Sequence, residues 1–280
     1  MPVKNALYVV ATPIGNLNDI SLRALSVLAS VDVVAAEHVQ NSKRLLSHHA
    51  IHTRLIALHQ HNEAAVAHQI STFLAQGKSA ALISDAGTPA ISDPGAVLVR
   101  QVREQGFPVI PVPGANAAIC ALSAAGIIHP HFLFYGFLPA KTGQRQQALK
   151  TLAALPYTLV FYEAPHRIQA SLHDMVSVLG GERQLTIARE LTKLFETIHQ
   201  CRLDEAIAWL EADAHREKGE FVVLVSGAPA PDNAEISEQA RNTLILLLAE
   251  LPLKQAVKLA AGISGENKKA LYQLALSLKP

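Results

Sequence analysis

Six times along this 280-residue chain, an apolar run rich in β-formers breaks off into turn-forming or charged residues. The breaks fall at Thr12–Asn16, Glu37–Asn41, Asp85–Pro89, Pro113–Ala118, Tyr162–Arg167 and Arg189–Lys193. Short apolar runs bounded in this way predict buried strands, and the helical patterns between them predict an α/β architecture. In open α/β sheets the carboxyl ends of strands carry the ligand-binding groups, so the six breaks are also the candidate functional positions.

The fullest of them lies within residues 80–95. Ala80 to Ile83 predicts a strand, which stops in Ser84-Asp85-Ala86-Gly87-Thr88-Pro89. A second turn cluster, Ser92-Asp93-Pro94-Gly95, follows and opens a helix over Ala96 to Glu104, with Pro94 in the first turn and Ser92 or Asp93 as the expected cap. Two successive turn clusters with several side-chain hydrogen bonders are more than a plain connection needs.

Before this stretch, Leu7 to Ala11 predicts a strand, Leu22, Leu25, Val27 and Leu28 the inward face of a helix, and Val31 to Ala36 a second strand. Ser42 to His48 reads as a helix with Lys43 and Arg44 outward. The turn after the first strand holds one glycine, and neither Gly-x-Gly-x-x-Gly nor a P-loop is present, which argues against NAD or ATP. Six histidines lie between His48 and His68; their spacings match no familiar metal site, and a solvated, partly interfacial set is the expectation, with metal binding as the alternative.

After it, Val109 to Val112 predicts a strand and residues from Ala117 a helix of small side chains, which either packs close to the sheet or leaves room for a ligand at its N-terminus. Past residue 126 come a strand ending in Phe134-Tyr135-Gly136-Phe137 and a polar helix over Gln144 to Leu155. The alternation then resumes, with strands at Thr158 to Tyr162, Leu185 to Ala188, Phe195 to His199 and Gly219 to Val225, and helices at Ile168 to Leu179 and Leu203 to Leu210. Alternation in both halves predicts two parallel-rich sheets.

A Pro-, Asp- and Asn-bearing linker over 228–235 leads to three helical stretches, Ser237 to Glu250, Leu253 to Ala261 and Asn267 to Leu278, with Gly265 in the last turn and Lys254, Lys258, Lys268 and Lys269 outward. This tail reads either as a helix-turn-helix of the kind used on nucleic acid or as a three-helix unit packed on the body. The expected organisation is an α/β domain over 1–126, a second over 127–228 and the helical tail over 236–280.

Half of the residues are apolar, enough for sizeable cores, and the formal net charge of +1 neither demands nor excludes nucleic acid but argues against binding through a uniformly basic surface. Cys120 and Cys201 stand far apart and outside metal or redox spacing, which fits a reducing cytoplasm. No signal-peptide pattern or membrane-length apolar run is seen, so no membrane partner is expected.

Taken together, Ala-Thr-Pro-Ile-Gly-Asn-Leu (11–17), Ser-Asp-Ala-Gly-Thr-Pro (84–89), Ser-Asp-Pro-Gly (92–95), Gly-Phe-Leu-Pro-Ala-Lys (136–141), Phe-Tyr-Glu-Ala-Pro-His-Arg (161–167), Ala-Arg-Glu-Leu-Thr-Lys (188–193) and Lys-Gly-Glu (218–220) resemble the tetrapyrrole-methylase superfamily. Its members bind S-adenosylmethionine in a cleft between two α/β domains. Within it the chain is similar to the branch that methylates a ribose 2′-oxygen of a decoding-region cytidine in bacterial 16S rRNA, and the likeness covers nearly the whole chain.

The resemblance implies cofactor contacts from Ile14, Asp85, Ala86, Gly87, Thr88, Ile91, Ala117, Ala118, Tyr162, Leu191 and Gly219, with the Asp85 side chain holding its loop. On the substrate side it points to Glu37, Glu163, Arg167 and Lys193, with Arg167 and Lys193 suited to phosphate, and to Glu190 or His166 as proton acceptor. An ion pair between Arg167 and Glu190 that fixes the second domain is the structural alternative. No metal is expected in the chemistry. The implied partners are 16S rRNA in the assembled small subunit and a second copy of the chain, the latter also suggested by the apolar Phe132–Phe137 segment.

Two positions depart from the family pattern. Glu37-His38-Val39-Gln40 stands where Glu-Asp-Thr-Arg is usual, and Ala115 follows Pro113-Gly114 where a proline is usual. The first removes an acid and a fixed positive charge from the cleft rim. Two other readings therefore stay open: an enzyme of the same fold acting on a tetrapyrrole or a modified protein side chain, and a ribosome-associated protein that binds cofactor without turnover.

Overall fold

The computed structural model describes residues 3–229 and 236–278. Residues up to Gly227 form one compact unit built on two five-stranded sheets. The first contains β1 (Leu7–Val10), β2 (Val33–Ala36), β3 (Leu55–Ala57), β4 (Ala80–Ile83) and β5 (Val109–Val112) in the order β3-β2-β4-β1-β5, with every pairing parallel. Four helices cover it: α1 (Leu22–Ser30), α2 (Val39–His48), α3 (Glu63–Ala75) and α4 (Ala96–Glu104).

Strand alternation sorts the core into two layers. Tyr8, Val10, Val34, Ala36, Ala81 and Ile83 face α1 and α2, where Ala24, Val27, Leu28, Leu45 and Leu46 are buried. Leu7, Val33, Ala35, Ala80 and Leu82 face α3 and α4, against Val66, Ile70, Leu74, Leu98 and Val102. Burial on both faces is why these strands are unbroken apolar runs in the sequence. The helices after the neighbouring strands β1 and β4 thus lie on opposite faces, which makes the β1/β4 boundary a topological switch point.

Two local expectations are corrected. Leu22 is 84% exposed rather than inward, because the buried stripe of α1 runs through Ala24, Val27 and Leu28 on its other side. Neither Ser92 nor Asp93 caps α4. The amides of Gly95, Val97 and Leu98 donate instead to Glu63 Oε1, at 2.9, 2.6 and 3.2 Å, so the first residue of α3 supplies the negative charge at the start of α4.

The second sheet contains β6 (Phe132–Phe137), β7 (Thr158–Glu163), β8 (Gln184–Arg189), β9 (Thr197–Arg202) and β10 (Phe221–Val225) in the order β6-β7-β10-β8-β9. Only β6 and β7 pair in parallel; the other three pairings are antiparallel, against the parallel-rich expectation. The connection from β8 to β9 holds no helix, and a parallel return needs a crossover of about a dozen residues or more.

One face of this sheet is covered by α6 (Thr142–Leu152), α7 (Ile168–Leu179) and α8 (Ala206–Glu211). The other is covered by α5 (Ala117–Ala124), whose Ala118 and Ala121 pack on Val160, Val222 and Leu224. So α5, which precedes residue 126, belongs by packing to the second sheet. Arg145 of α6 and Asp174 of α7 form a buried ion pair at 2.6 Å, and Gln146 donates to the other carboxylate oxygen at 2.7 Å.

The second unit comprises α9 (Glu238–Glu250), α10 (Leu253–Ser264) and α11 (Lys268–Ser277). Ala240, Leu244, Ala256, Val257, Ala260, Leu271 and Ala275 give it a core of its own. Ser237 caps α9, Asn267 caps α11, and Lys254, Lys258, Lys268 and Lys269 are exposed. Residues 230–235 of the expected linker and residues 279–280 of the tail lie outside the described residues. Among the described residues, no helix is long and apolar enough to cross a membrane.

Candidate functional site

The loops that follow β1 and β4 are tied together first. Thr12 and Gly87 exchange backbone hydrogen bonds at 2.9 and 3.0 Å, and the Thr12 hydroxyl donates to Ser84 O at 3.1 Å. The Thr88 hydroxyl donates to Ala115 O at 3.2 Å, which draws the turn before α5 into the group. Asn116 accepts from Ile119 N and caps α5. From the second sheet, the Tyr162 hydroxyl accepts from Ala118 N at 3.2 Å, while Phe134 and Phe137 pack edge-on against its ring. Where the β1 loop meets the β8 loop, a Cβ on Gly15 would lie 2.6 Å from Lys193 Cγ and 2.8 Å from Leu191 O, so only glycine fits that approach.

These contacts enclose a cavity of about 340 Å³ between the strand ends of the two sheets. Of the positions implied for a cofactor, Ile14, Ala86, Gly87, Thr88 and Ile91 line it from the first sheet's loops. Ala117 lines it from α5, and Tyr162 and Leu191 from the second sheet. Asp85, Ala118 and Gly219 are not on the wall. Ala118 reaches the site through Tyr162, and a Cβ on Gly219, which has a φ of +94°, would overlap the Glu190 side chain.

The Asp85 carboxylate faces the segment after β2. It accepts from His38 N at 3.2 Å and Asn41 Nδ2 at 2.7 Å, and meets His38 Nδ1 at 2.8 Å. Glu37 accepts from Asp85 N, and one ligand-type atom each of Glu37, His38 and Asp85 lies within 4.8 Å of the others. The histidine that replaces the usual acid therefore joins this carboxylate pair. Of the six histidines between His48 and His68, all but the half-buried His49 are exposed.

Among the residues implied for substrate and proton transfer, only Glu163 is on the wall. The residue is 3% exposed, and its carboxylate accepts from Ala164 N and Ser171 Oγ and lies 3.1 Å from Arg167 Nε. Arg167 also donates to Leu138 O. The alternative ion pair between Arg167 and Glu190 is thus absent, because Arg167, just before α7, finds its partner four residues back at Glu163, the last residue of β7. Glu190 instead accepts from Lys193 Nζ at 2.8 Å and Glu220 N at 3.0 Å. Desolvation pushes its carboxyl up, but these donors outweigh it and hold the pKa below the ordinary value. Lys193 also bridges to Glu220 at 2.6 Å. His166 is exposed and away from the wall.

The chain's second half contributes further lining residues that the sequence reading left without a cofactor role: Phe137, Ala164, Pro165 and Glu220, all within the motifs named above, and Phe221 and Val222 of β10. From the first half, Ser92, Asp93 and Asn116 join them. Asp93 stands apart chemically. Burial, helped by the nearby Glu37 and Asp85 carboxylates, raises its pKa from 3.8 to about 6, against an opposing hydrogen bond from Ser84. Among the described lining residues there are carboxyl groups at Asp93, Glu163 and Glu220 but no lysine or arginine. Glu163 and Glu220 are paired with Arg167 and Lys193 behind the wall, so Asp93 is the lining carboxyl whose charge favours a cation, and no lining side chain offers a phosphate a lysine or arginine.

Comparison with known proteins adds three findings. The family model of the Tetrapyrrole (Corrin/Porphyrin) Methylases matches residues 6–207, and that of the RsmI C-terminal HTH domain matches residues 234–279. The Ribosomal RNA small subunit methyltransferase I of Pseudomonas aeruginosa is 54% identical over 271 residues, covering 96% of each chain, and that of Escherichia coli O157:H7 is 52% identical over 270 residues, covering 96% of this chain and 94% of its own. The uroporphyrin-III C-methyltransferase of Thermus thermophilus, in complex with S-adenosylhomocysteine, superimposes with a TM-score of 0.57 at 17% identity over 78% of this chain and 96% of its own. That last likeness is one of fold.

Proposed function

The chain belongs to the tetrapyrrole (corrin/porphyrin) methylase family, among the ribosomal RNA small subunit methyltransferases I, and from that premise we propose that it transfers a methyl group from S-adenosylmethionine to a ribose 2′-oxygen of a decoding-region cytidine of 16S rRNA, on the assembled small subunit. The observation that carries the reading is the cavity wall: three carboxyl groups, no lysine or arginine among the described lining residues, and small side chains at its α5 end. This suits a sulfonium cation, and a volume of about 340 Å³ lies within the ordinary range of ligand sites.

When bound, the cofactor supplies an electrophilic methyl group. The residues proposed to hold it are Ile14, Ala86, Gly87, Thr88, Ile91, Ala117, Tyr162 and Leu191 on the wall, with Asp85, Ala118 and Gly219 supporting them from behind. Ribose hydroxyls are weak nucleophiles, so the protein's main task is orientation and exclusion of water, worth up to about 7–11 kcal/mol in favourable cases. RNA phosphates belong outside this acidic wall, and Arg167, Lys193 and Glu37 at its margins, with His166 and Glu190, are the proposed substrate contacts. The exposed lysines of the helical tail offer further phosphate contacts.

A homodimer in the cytoplasm completes the proposal. The edge strand β6 is the candidate contact, because Phe132 and Tyr135 stand 46% and 36% exposed on it.

Asp85 makes a first prediction. Its carboxylate ties the Glu37–Asn41 segment to the central loop and does not line the cavity, so Asp85→Ala is expected to destabilise the protein by about 1–2 kcal/mol and to weaken S-adenosylhomocysteine binding by less than about tenfold. A loss above about a hundredfold in calorimetry would place the carboxylate on the cofactor itself.

The function is tested by offering labelled S-adenosylmethionine with small ribosomal subunits that lack the modification, naked 16S rRNA and uroporphyrinogen in parallel. Label in the assembled subunit is expected. Label in the porphyrin alone overturns the substrate, and cofactor binding with no label anywhere identifies a protein that binds without turnover.

A further inference from the structure

Resting on the methyl-transfer reading above, we propose that Asp93 is the catalytic proton acceptor, taking the hydrogen of the acceptor hydroxyl as its oxygen is methylated. The other ionisable groups on the wall are already engaged. Glu163 is held by Arg167, Ser171 and the Ala164 amide, and Glu220 by Lys193. The Tyr162 hydroxyl accepts from Ala118 N, and burial keeps its proton bound well above neutral pH. Asp93 alone among these carboxyl groups has no cationic partner among the described residues.

The fold also releases Asp93 from the role its place in the sequence suggests. Glu63 takes the α4 amides that Asp93 would otherwise cap, and the chain enters Asp93 through Ala90 and Ser92, whose φ angles of +65° and +66° are ones that side chains rarely adopt. Strain of this kind persists where the surrounding structure holds a side chain in a required position. The groups that set its proton affinity come from two elements, Ser84 and Asp85 after β4 and Glu37 after β2, while Asp93 in turn helps to raise the Tyr162 hydroxyl on β7. A carboxyl that binds its proton near pH 6 is ionised at pH 7.5 and is a better base than an exposed aspartate.

In the step itself the methyl C–S bond breaks with its electron pair left on sulfur, which becomes a neutral thioether. The new C–O bond forms from an oxygen lone pair, and the hydroxyl proton passes to an Asp93 Oδ and then to solvent. No oxidant or metal is required for this balance.

Asp93→Asn keeps the size of the side chain and removes the base. It is expected to lower kcat by about 10²–10⁴-fold and leave S-adenosylhomocysteine affinity within a fewfold by calorimetry. The wild-type kcat/KM should fall below about pH 6, and that limb should vanish in the variant. In cofactor-free protein, carboxyl ¹³C NMR should show one aspartate titrating near 6 that is missing from the Asn variant.

A raised folded-state pKa means that ionising Asp93 costs stability, a cost that builds between its ordinary value of 3.8 and about 6 and is complete above that. The Asn variant should therefore melt no lower than wild type at pH 8. A kcat within tenfold of wild type, an Asp93 that titrates near its ordinary value, or loss of S-adenosylhomocysteine binding would each overturn the assignment. Wild-type protein inactive on small subunits would fail the functional reading itself, whereas an active wild type with an equally active variant would fail Asp93 alone.

Discussion

Arg145→Ala is expected to destabilise the protein by about 3–5 kcal/mol, enough to unfold a large fraction of a marginally stable domain at moderate temperature. Arg145 is 3% exposed and its Nε donates to Asp174 Oδ2 at 2.6 Å. Its remaining nitrogens reach Ala140 O at 3.1 Å and Thr142 Oγ1 at 3.3 Å, so one side chain fastens the start of α6 to the middle of α7. Alanine would strand the Asp174 carboxylate in a site only 6% exposed, with Gln146 as its one remaining donor. The cost comes mainly from that uncompensated charge. The double change Arg145→Met with Asp174→Leu should accordingly recover most of the loss. Urea unfolding measures both, and a loss below about 1 kcal/mol for the single change would show that water reaches the pair.

The second large effect concerns the cleft. Ala117→Leu at the first position of α5 is expected to weaken S-adenosylhomocysteine binding by about a hundredfold while the fold survives. Ala117 lines the cavity from the turn where small residues crowd between the two sheets, and the added carbons would occupy space the ligand needs. Overpacking a fitted site costs about 1–3 kcal/mol, which sets the scale of the loss. Ser123→Leu, on an exposed position of the same helix, is the control and should leave affinity unchanged. Calorimetry reads both variants, and affinity within about threefold of wild type for Ala117→Leu would move the ligand elsewhere.

The strands of the first sheet were readable because they are buried on two sides. Such strands must be apolar at every position, and Ala80–Ile83 or Val109–Val112 can be little else. The helix at Ile168–Leu179 was equally plain, since its buried residues recur with helical spacing up to the Gly180 stop. By contrast, β3 has three residues, none fully buried, and α3 begins within the histidine-rich block, so neither announced itself.

Strand direction in the second sheet depends on which connections are long enough to cross over. Apolar pattern alone does not carry that information.

The site divides along the same line. Its first-sheet loops were legible because turn chemistry is local: Gly87, Thr88 and the small residues before α5 are written in the chain order itself. What stayed hidden depends on contacts distant in sequence. A carboxylate 32 positions earlier caps α4 and frees Asp93, and the strand start at Glu220–Val222 completes the wall from the far end of the unit. Charge partners followed proximity along the chain through the turns after β7 and β8: Arg167 settled on Glu163, four residues away, and Glu190 on Lys193, three away.

The position of the transferred methyl decides what this protein does. Small subunits lacking the modification would be treated with the protein and S-adenosylmethionine carrying a deuterated methyl group, and the rRNA digested to nucleosides for mass spectrometry. Label is expected in 2′-O-methylcytidine, from a single decoding-region site. Label on a base, on a different nucleoside, or on no nucleoside while the cofactor remains bound would contradict it.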